Sequence, residues 1–268
     1  MTRHALVTGA SSGIGRELVR QLVCDRGMTV LATARRKDRL DSLAAEFPEG
    51  RVLVEPGDLA DPDFRARLWA RVEALPGGLD LLVNNAGLGH YAEFATQDPA
   101  ATDQIFAVNV IALMDLTRRA AAHMKARGSG RILQVSSVLG FYGIPYSAAY
   151  TASKHAVNGL VKCLRYELKG TGVVVRAVCP GRTESEFSRV ALGNPDATGP
   201  MPRKAPTGRI VRAIVRGMDG SSAFYIPSWT AWFGVTVSHW LPGPFDWFMT
   251  AWGPGFFGRE KARMRRGA

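Results

Sequence analysis

Short apolar runs alternate with helix-length segments along most of this chain, and this alternation constrains the fold more than any other feature. "HALVTG" precedes a helical segment from about Ile14 to Arg26, and "MTVLATA" precedes "KDRLDSLAAEF". The strand-like runs are almost continuously apolar, so we expect both of their faces to be buried, as in a parallel sheet covered by helices. The sequence therefore predicts an α/β fold with a single doubly wound parallel sheet and helices on both faces.

The alternation ends near Gly181, and the remaining chain has a different character. Residues 182–208 carry Gly and Pro with little periodicity and are predicted to form a loop or a substrate lid. A helix is expected near 208–218. We therefore predict one domain over residues 1–220, which includes the lid, and an aromatic, basic-ended C-terminal extension over residues 221–268.

The segment "TGASSGIG" follows the first predicted strand and opens the first helix. Its glycines allow a tight turn and a close backbone approach, and a helix N-terminus offers free N–H groups and partial positive charge to a pyrophosphate. This context is typical of a dinucleotide-binding loop, with a plain glycine-rich turn as the alternative. The loop positions expected to contact the cofactor are Gly9, Ser11, Ser12, Gly13, Ile14 and Gly15.

The second predicted strand ends in "ATARRKDRL", where dinucleotide sites often have an acidic residue that holds the adenosine ribose. An acid would repel a 2′-phosphate, whereas a guanidinium binds it through two hydrogen bonds. Arg35 and Arg36 therefore favour NADP(H), with NAD as the less favoured cofactor. A solvated pair of arginines at a helix start is the alternative interpretation.

Further polar residues follow the third and fourth predicted strands. Asp58 in "PGDLADP" could accept a hydrogen bond from an adenine amino group or could form a turn, and Asp61 before Pro62 is the better helix cap. Asn84 and Asn85 in "VNNAG" lie at the carboxyl edge of the sheet, where such folds bind ligands. Asparagines are also common in ordinary turns, so this motif is weak by itself.

Three more features of the sequence could carry proton chemistry. Tyr150 has Lys154 four residues further on, so the two share a face if the segment is helical. Ser137 ends the strand "RILQVSS", and Asn109 interrupts the apolar stretch "IFAVNVIALM", where it needs hydrogen-bond partners. Each of these residues alone also has an ordinary structural interpretation.

Together with the glycine-rich loop, these residues resemble the short-chain dehydrogenase/reductase family over about residues 3–190. The matching elements are "TGASSGIG", "NNAG", Asn109, Ser137, "YTASK" and the "PG" at Pro180. The resemblance implies a Rossmann fold in which Tyr150 is the general acid/base and Lys154 activates it and holds the nicotinamide ribose. Ser137 would orient the substrate, and Asn109 would anchor a proton-relay water. Further cofactor contacts implied by the resemblance are Leu59, Asn85, Ala86, Gly87, Tyr150, Lys154, Pro180, Gly181 and, for the nicotinamide carboxamide, Thr183 or Ser185.

The chemistry of these side chains agrees with that implication. A carbonyl that accepts a hydride develops negative charge on oxygen, which a phenol can protonate while Ser137 donates a hydrogen bond. Tyrosine ordinarily titrates near pH ~10, so a neighbouring cation is expected to draw the pKa of Tyr150 toward the working range. Tyr142 and Tyr146 lack such a lysine and are expected to line the substrate pocket.

The sequence thus predicts an NADP(H)-dependent oxidoreductase that interconverts a carbonyl and a secondary alcohol on an apolar or lipid-like substrate. A dinucleotide-sensing regulatory protein with little turnover is the alternative, although a sensor would not need the proton-handling residues. Nucleic-acid binding is suggested only by the net charge of +11 and has no matching motif. The histidines lack metal-ligand spacing, so no metal site is predicted, and three cysteines without a CxxC spacing favour a reducing compartment.

Location and assembly are also predicted. The N-terminus lacks a signal-peptide pattern, so a cytoplasmic location is expected, and the family resemblance implies a homodimer or homotetramer formed through residues 101–127 and 150–169. The extension holds five of the six tryptophans and ends in a basic cluster. Three interpretations of it remain open: peripheral contact with the inner face of a membrane, an apolar flap over the pocket or a subunit interface, and a membrane span.

Overall fold

The computed structural model of the protein describes residues 3–184, 186–188, 191–193 and 205–257. Its main sheet has seven parallel strands in the order β3-β2-β1-β4-β6-β7-β9, and a separate parallel pair joins β5 and β8. The predicted doubly wound α/β fold is confirmed. The strands are β1 (His4–Thr8), β2 (Thr29–Ala34), β3 (Val52–Pro56), β4 (Leu81–Asn84), β5 (His90–Tyr91), β6 (Gly130–Val135), β7 (Val173–Val178), β8 (Leu192–Gly193) and β9 (Phe224–Tyr225).

Helices cover both faces of the main sheet, and each face has its own apolar core. One core joins α1 and α7 to the sheet through residues such as Leu18, Leu22 and Ile214. The other is centred on α3 and α5, with Phe64 and Leu116 fully buried. The helices are α1 (Gly13–Arg26), α2 (Lys37–Ala44), α3 (Pro62–Glu73), α4 (Pro99–Phe106), α5 (Leu113–Arg127), α6 (Ala148–Glu167), α7 (Thr207–Gly217), α8 (Trp229–Trp240), α9 (Pro242–Ala251) and α10 (Gly253–Phe257).

The long helix expected over residues 101–127 is interrupted. A π-helical turn at Ala107–Ala112 separates α4 from α5, and Asn109 lies inside that turn. Such turns are frequent at functional sites. The helix cap expected at Asp61 is confirmed, because its Oδ1 accepts the amide of Asp63 at 2.9 Å and Pro62 is the first helical residue.

The main sheet continues past residue 220, because β9 pairs with β7 through the registers Ala177↔Phe224 and Val178↔Tyr225. Part of the segment assigned to the extension therefore belongs to the sheet. The predicted lid contains a 3₁₀ turn at Glu186–Ser188 and the short strand β8, and its residues 185, 189–190 and 194–204 lie outside the described part of the chain.

The extension continues as α8, α9 and α10, and one side of it packs on the protein. The rings of Phe245 and Tyr142 are 5.3 Å apart, and Ala231 faces Gly181. This agrees with the flap interpretation for the inner side. Contrary to the spanning interpretation, none of the helices in the described ranges has the length and hydropathy needed to cross a membrane.

Candidate active site

The glycine-rich loop is packed so closely that side chains would not fit. Gly9 has φ +67° and Gly13 has φ +55°, which is the left-handed region that glycine adopts readily. A Cβ on Gly9 would lie 2.8 Å from Cα of Ala86, and one on Gly15 would overlap the carbonyl of Gly9. Asn85 fixes this packing, because its Nδ2 donates to the carbonyls of Thr8 and Gly9 at 2.9 and 3.2 Å.

The N-terminus of α1 offers uncapped amides beside this loop. Ser12 is the N-cap residue, but its side chain makes no capping hydrogen bond, and the first turn contains no acidic residue. The Ser12 Oγ instead accepts a hydrogen bond from Nη2 of Arg36 at 2.9 Å. A bare backbone loop followed by uncapped helix amides fits the pyrophosphate of a dinucleotide.

The two predicted arginines occupy different positions at the end of β2. Arg36 turns toward the loop and donates to the hydroxyls of Ser11 and Ser12, whereas Arg35 is exposed. Arg39, which the sequence analysis did not single out, joins Arg36. Both guanidinium groups contact the carboxylate of Glu186. The sequence could have indicated this pairing, because Arg36 and Arg39 are three residues apart at the start of α2 and residues at that spacing share a helix face.

The other candidates for cofactor contact follow β3 and β4. Oδ1 of Asp58 accepts the amide of Ala60 at 2.9 Å, so this exposed carboxylate forms the turn that was one of its two interpretations. Leu59 is buried in the core. The amide of Ala86 donates to Oγ1 of Thr8 at 3.0 Å, and a Cβ on Gly87 would lie 3.7 Å from Nζ of Lys154, so this segment connects the loop with the catalytic residues.

Tyr150 and Lys154 share one face of α6, as their spacing predicted, and both are buried. Nζ of Lys154 lies 5.6 Å from the centroid of the Tyr150 ring, but it donates its hydrogen bond to the carbonyl of Val135 at 2.9 Å. Ser137 follows β6, and its Oγ accepts the amide of Leu139 at 3.2 Å. The structure therefore brings the three predicted residues to one buried corner at the carboxyl edge of the sheet.

Burial dominates the ionisation of this corner. It raises the pKa of Tyr150, the nearby Tyr91 adds to the rise, and the Ser137 hydroxyl opposes it. Burial also lowers the pKa of Lys154 to about 8. We expected Lys154 to lower the pKa of the Tyr150 phenol, but in the protein without cofactor that pKa is raised. The loss of hydration around the phenol outweighs the attraction of the Lys154 ammonium, which donates its hydrogen bond to the backbone instead.

Asn109 is fully buried, and both ends of its amide are satisfied. Its Oδ1 accepts the amide of Leu88 at 2.8 Å, and its Nδ2 donates to the Leu88 carbonyl at 3.0 Å and to Oγ of Ser153 at 3.1 Å. Ser153 lies between Tyr150 and Lys154 on α6. Asn109 thus ties the π-helical turn to the catalytic helix and to the segment after β4.

The chain after β7 covers the same corner. The carbonyl of Pro180 accepts the amide of Val138 at 3.2 Å, and Oγ1 of Thr183 donates to the carbonyl of Gly181 at 3.3 Å. Ser185, the other candidate for the carboxamide contact, lies outside the described residues. Phe187, not anticipated from the sequence, packs on Tyr150 with ring centroids 5.6 Å apart.

Three further tyrosines lie in the segments that follow β4 and β6. Tyr142 and Tyr91 are partly buried, and loss of hydration raises the pKa of each phenol. Tyr146 has φ +65°, uncommon for a residue with a side chain, and its carbonyl accepts the amide of Ala92 at 2.9 Å. Within the described ranges no group of three His, Cys, Asp or Glu residues is placed to hold a metal ion.

Comparison with known proteins finds relatives that are dehydrogenases of one family. A sequence profile described as short chain dehydrogenase matches residues 3–193. The chain is 35% identical over 184 residues to a D-beta-hydroxybutyrate dehydrogenase of Rhizobium meliloti, covering 68% of this chain and 71% of that protein. It is 32% identical over 210 residues to a 3alpha-hydroxysteroid dehydrogenase of Mediterraneibacter gnavus, covering 77% and 83%. A short-chain dehydrogenase from Sphingobium yanoikuyae, solved in complex with NADPH, superposes with a TM-score of 0.78 at 30% identity, covering 93% and 96%.

Proposed function

Because this chain belongs to the short-chain dehydrogenase/reductase family, we propose that it is an NADP(H)-dependent oxidoreductase that interconverts a carbonyl and a secondary alcohol. One observation carries the proposal. The phenol of Tyr150 and the ammonium of Lys154 are buried beside the Ser137 hydroxyl, at the same sheet edge as the glycine-rich loop. Besides a hydride donor, carbonyl reduction needs a group that donates a proton and a group that stabilises the resulting charge.

A nicotinamide ring would supply the hydride or accept it. Burial raises the pKa of Tyr150, so its phenol keeps its proton at neutral pH and donates it to the carbonyl oxygen during reduction. Oγ of Ser137 already accepts a backbone amide, which leaves its hydroxyl hydrogen to donate to the same oxygen. Lys154, with a pKa of about 8, is largely charged at pH 7 and stabilises the phenolate that remains.

The proposed cofactor is NADP(H) because cationic donors stand where the adenosine ribose of a dinucleotide binds in this fold. Arg36 contributes a guanidinium group beside the hydroxyls of Ser11 and Ser12, and Arg39 contributes a second one through the Glu186 carboxylate that both arginines contact. Guanidinium groups bind phosphate through paired, charge-assisted hydrogen bonds. The relative from Sphingobium yanoikuyae was solved with NADPH, which agrees with this choice.

The proposed substrate is apolar, because aromatic side chains lie beside the phenol of Tyr150 and in the segment that follows Ser137. Phe187 and Tyr91 lie beside the phenol, and Tyr142 packs on Phe245 of the extension. The two named relatives act on a small hydroxy acid and on a steroid, so the assay should include both kinds of compound beside a sugar ketone. We expect kcat/KM to be highest for the apolar ketones, and a preference for the sugar would contradict this part of the proposal.

The experiment for catalysis is Tyr150→Phe, which removes only the phenol oxygen. NADPH-dependent reduction should fall by about 10²–10⁴-fold or more, while the dissociation constant for NADPH changes little. Tyr146→Phe is the matched control and should retain most of the activity. Unchanged turnover in Tyr150→Phe would disprove the assignment. NADPH binding by the wild type without hydride transfer to any carbonyl of the panel would favour a dinucleotide sensor.

The proposal includes a dimer or tetramer formed through residues 101–127 and 150–169, which hold α5, the π-helical turn and most of α4 and α6. Ile111 is 54% exposed, Met114 45% and Tyr166 78%, so apolar side chains lie on the outer faces of these elements. Burial of such side chains between copies stabilises association. Light scattering should therefore give a multiple of 29.0 kDa at micromolar concentration, and the monomer mass would refute the prediction.

The proposed location is cytoplasmic, with the outer side of the extension in contact with a membrane surface. Asp246 is the only Asp, Glu, Lys or Arg in residues 221–257, whereas residues 258–268 contain five Lys or Arg residues. Tryptophan prefers the membrane interface and basic residues are attracted to anionic lipids. The exposed large side chains of the extension are Trp229, Trp232, Phe233, Trp240, Leu241, Trp247, Phe248 and Trp252.

Vesicle flotation tests this contact. The full-length protein should float with anionic vesicles at low salt, and the double variant Trp240→Ser/Trp247→Ser should not. Phe94→Ser, which removes a similarly exposed aromatic residue outside the extension and outside the proposed interface between copies, is the control and should still float. Absence of wild-type binding would disprove the membrane contact. If the double variant instead changes the particle mass, the surface is an interface between copies.

A further inference from the structure

An acidic side chain of the protein itself occupies the site that we assign to the 2′-phosphate of the cofactor. Nη1 of Arg39 contacts both carboxylate oxygens of Glu186 at 2.8 and 2.7 Å, and Nη1 of Arg36 donates to Oε2 at 3.2 Å. The remaining donors of Arg36 are directed at Ser11 and Ser12. The carboxylate of Glu186 is therefore the anion that this arginine pair holds.

A 2′-phosphate would use the same donors. Arginine binds carboxylate and phosphate with the same planar arrangement of N–H groups. Arg36 directly precedes α2 at the end of β2, which is where the adenosine ribose lies in doubly wound folds. The Glu186 carboxylate and the phosphate thus have overlapping binding sites.

The Glu186 carboxylate and the 2′-phosphate cannot occupy the site at the same time without strong repulsion. The hydrogen bond from Arg39, together with Arg36, lowers the pKa of Glu186, so its carboxylate is charged at neutral pH. A phosphate monoester brings about −1.5 to −2 further charges. Like charges at hydrogen-bond distance from one guanidinium repel each other, and the carboxylate must leave before the phosphate can bind.

We propose that Glu186 is a specificity-determining residue whose carboxylate competes with the 2′-phosphate of NADP(H) for Arg36 and Arg39. This inference rests on the cofactor class proposed above. A dinucleotide without a 2′-phosphate meets no competitor here and leaves the ion pairs intact. Glu186 therefore weakens the binding of NADP(H) but not of NAD(H). It limits the preference for NADP(H) over NAD(H) that the arginines provide.

The position of Glu186 in the chain makes it a permanent competitor. It belongs to a 3₁₀ turn of the lid, not to α2, and the lid is attached on both sides of that turn. Thr183 pairs with Ala205, and β8 pairs with β5. The displaced carboxylate stays tethered near the arginines and rebinds when the phosphate leaves.

Two probes without a nicotinamide ring test the proposal: adenosine 2′,5′-bisphosphate, which carries the 2′-phosphate, and 5′-AMP, which lacks it. Their dissociation constants are measured by calorimetry for the wild type, Glu186→Gln and Glu184→Gln. Glu184 is exposed and two residues away, so its variant removes the same charge as a matched control. We expect Glu186→Gln to bind the bisphosphate about three- to tenfold more tightly, since partly exposed ion pairs are individually weak.

Binding of 5′-AMP should change by less than about twofold in Glu186→Gln, and Glu184→Gln should resemble the wild type with both probes. Equal tightening in the two variants would show an effect of net charge and would overturn the proposal. Weaker 5′-AMP binding in Glu186→Gln would show that the carboxylate holds the ribose hydroxyls, which also overturns it. Neither probe undergoes hydride transfer, so the outcome is independent of the role proposed for Tyr150.

Discussion

The burial of Lys154 makes a quantitative prediction about stability. Its pKa falls from 10.5 to about 8 in the folded protein because burial removes the hydration of the ammonium group. In the window between these values the unfolded chain binds the proton more fully than the folded protein does. The free energy of unfolding therefore rises with pH through this window, and the penalty for the buried charge is fully present only below pH ~8.

The size of the effect follows from the same two values. Integrating the difference in bound protons from pH 7 to pH 9 gives about one pH unit, which corresponds to ~1.4 kcal/mol of added stability. Lys154→Met removes the titrating group but keeps an unbranched side chain of similar length. The difference in unfolding free energy between wild type and Lys154→Met should therefore move by ~1.4 kcal/mol in favour of the wild type over this range.

Urea unfolding of the protein without dinucleotide, followed at several pH values between 7 and 9, measures this difference. Cys179, whose pKa burial raises to about 12, stays protonated in both folded proteins and affects both curves alike. If the difference in unfolding free energy between wild type and Lys154→Met changes by less than about 0.3 kcal/mol from pH 7 to pH 9, Lys154 titrates normally. The ammonium group of Lys154 would then be hydrated in the folded protein.

Three further substitutions test other parts of the structure. Arg36→Ala should weaken the binding of adenosine 2′,5′-bisphosphate, measured by calorimetry, by about one to two decades, while Arg35→Ala should have little effect. A larger loss of binding in Arg35→Ala than in Arg36→Ala would contradict the placement of the two side chains. Gly15→Ala should abolish tight NADPH binding because its Cβ overlaps the Gly9 carbonyl, whereas Gly159→Ala, at an open helical position, should not; equal binding by both would refute the tight packing. Asp61→Ala should cost about 1 kcal/mol in urea unfolding through loss of the α3 cap, and an unchanged midpoint would contradict that role.

The fold was predictable because its cause lies in the local sequence. Strands buried on both faces must be apolar throughout, and the connecting helices need enough residues to cross back over the sheet. The Tyr150 and Lys154 pair was predictable for a similar reason, since a spacing of four residues on one helix fixes a shared face. The direction of the Lys154 hydrogen bond was not, because the Val135 carbonyl comes from a distant strand.

Other features depend on contacts that no short stretch of sequence encodes. Adjacent residues at the end of a strand point in opposite directions, so the sequence could not decide which of Arg35 and Arg36 turns toward the loop. The strand β9 has only two residues and gives no periodic signal. The ionisation of Tyr150 depended on its burial by segments such as the turn with Phe187, which lies in a stretch without regular periodicity.

Glu186 and Phe187 are consecutive residues of one 3₁₀ turn, yet their side chains contact opposite ends of the site, the arginine pair and the Tyr150 ring. A substrate that displaces the phenyl ring by moving the turn also moves the backbone that carries the carboxylate. Thermodynamic linkage then requires reciprocity: the factor by which the bound phosphate alters affinity for substrate equals the factor by which substrate alters affinity for the phosphate. This turn would therefore couple the affinities for the two ligands, although neither of its residues needs to take part in hydride transfer.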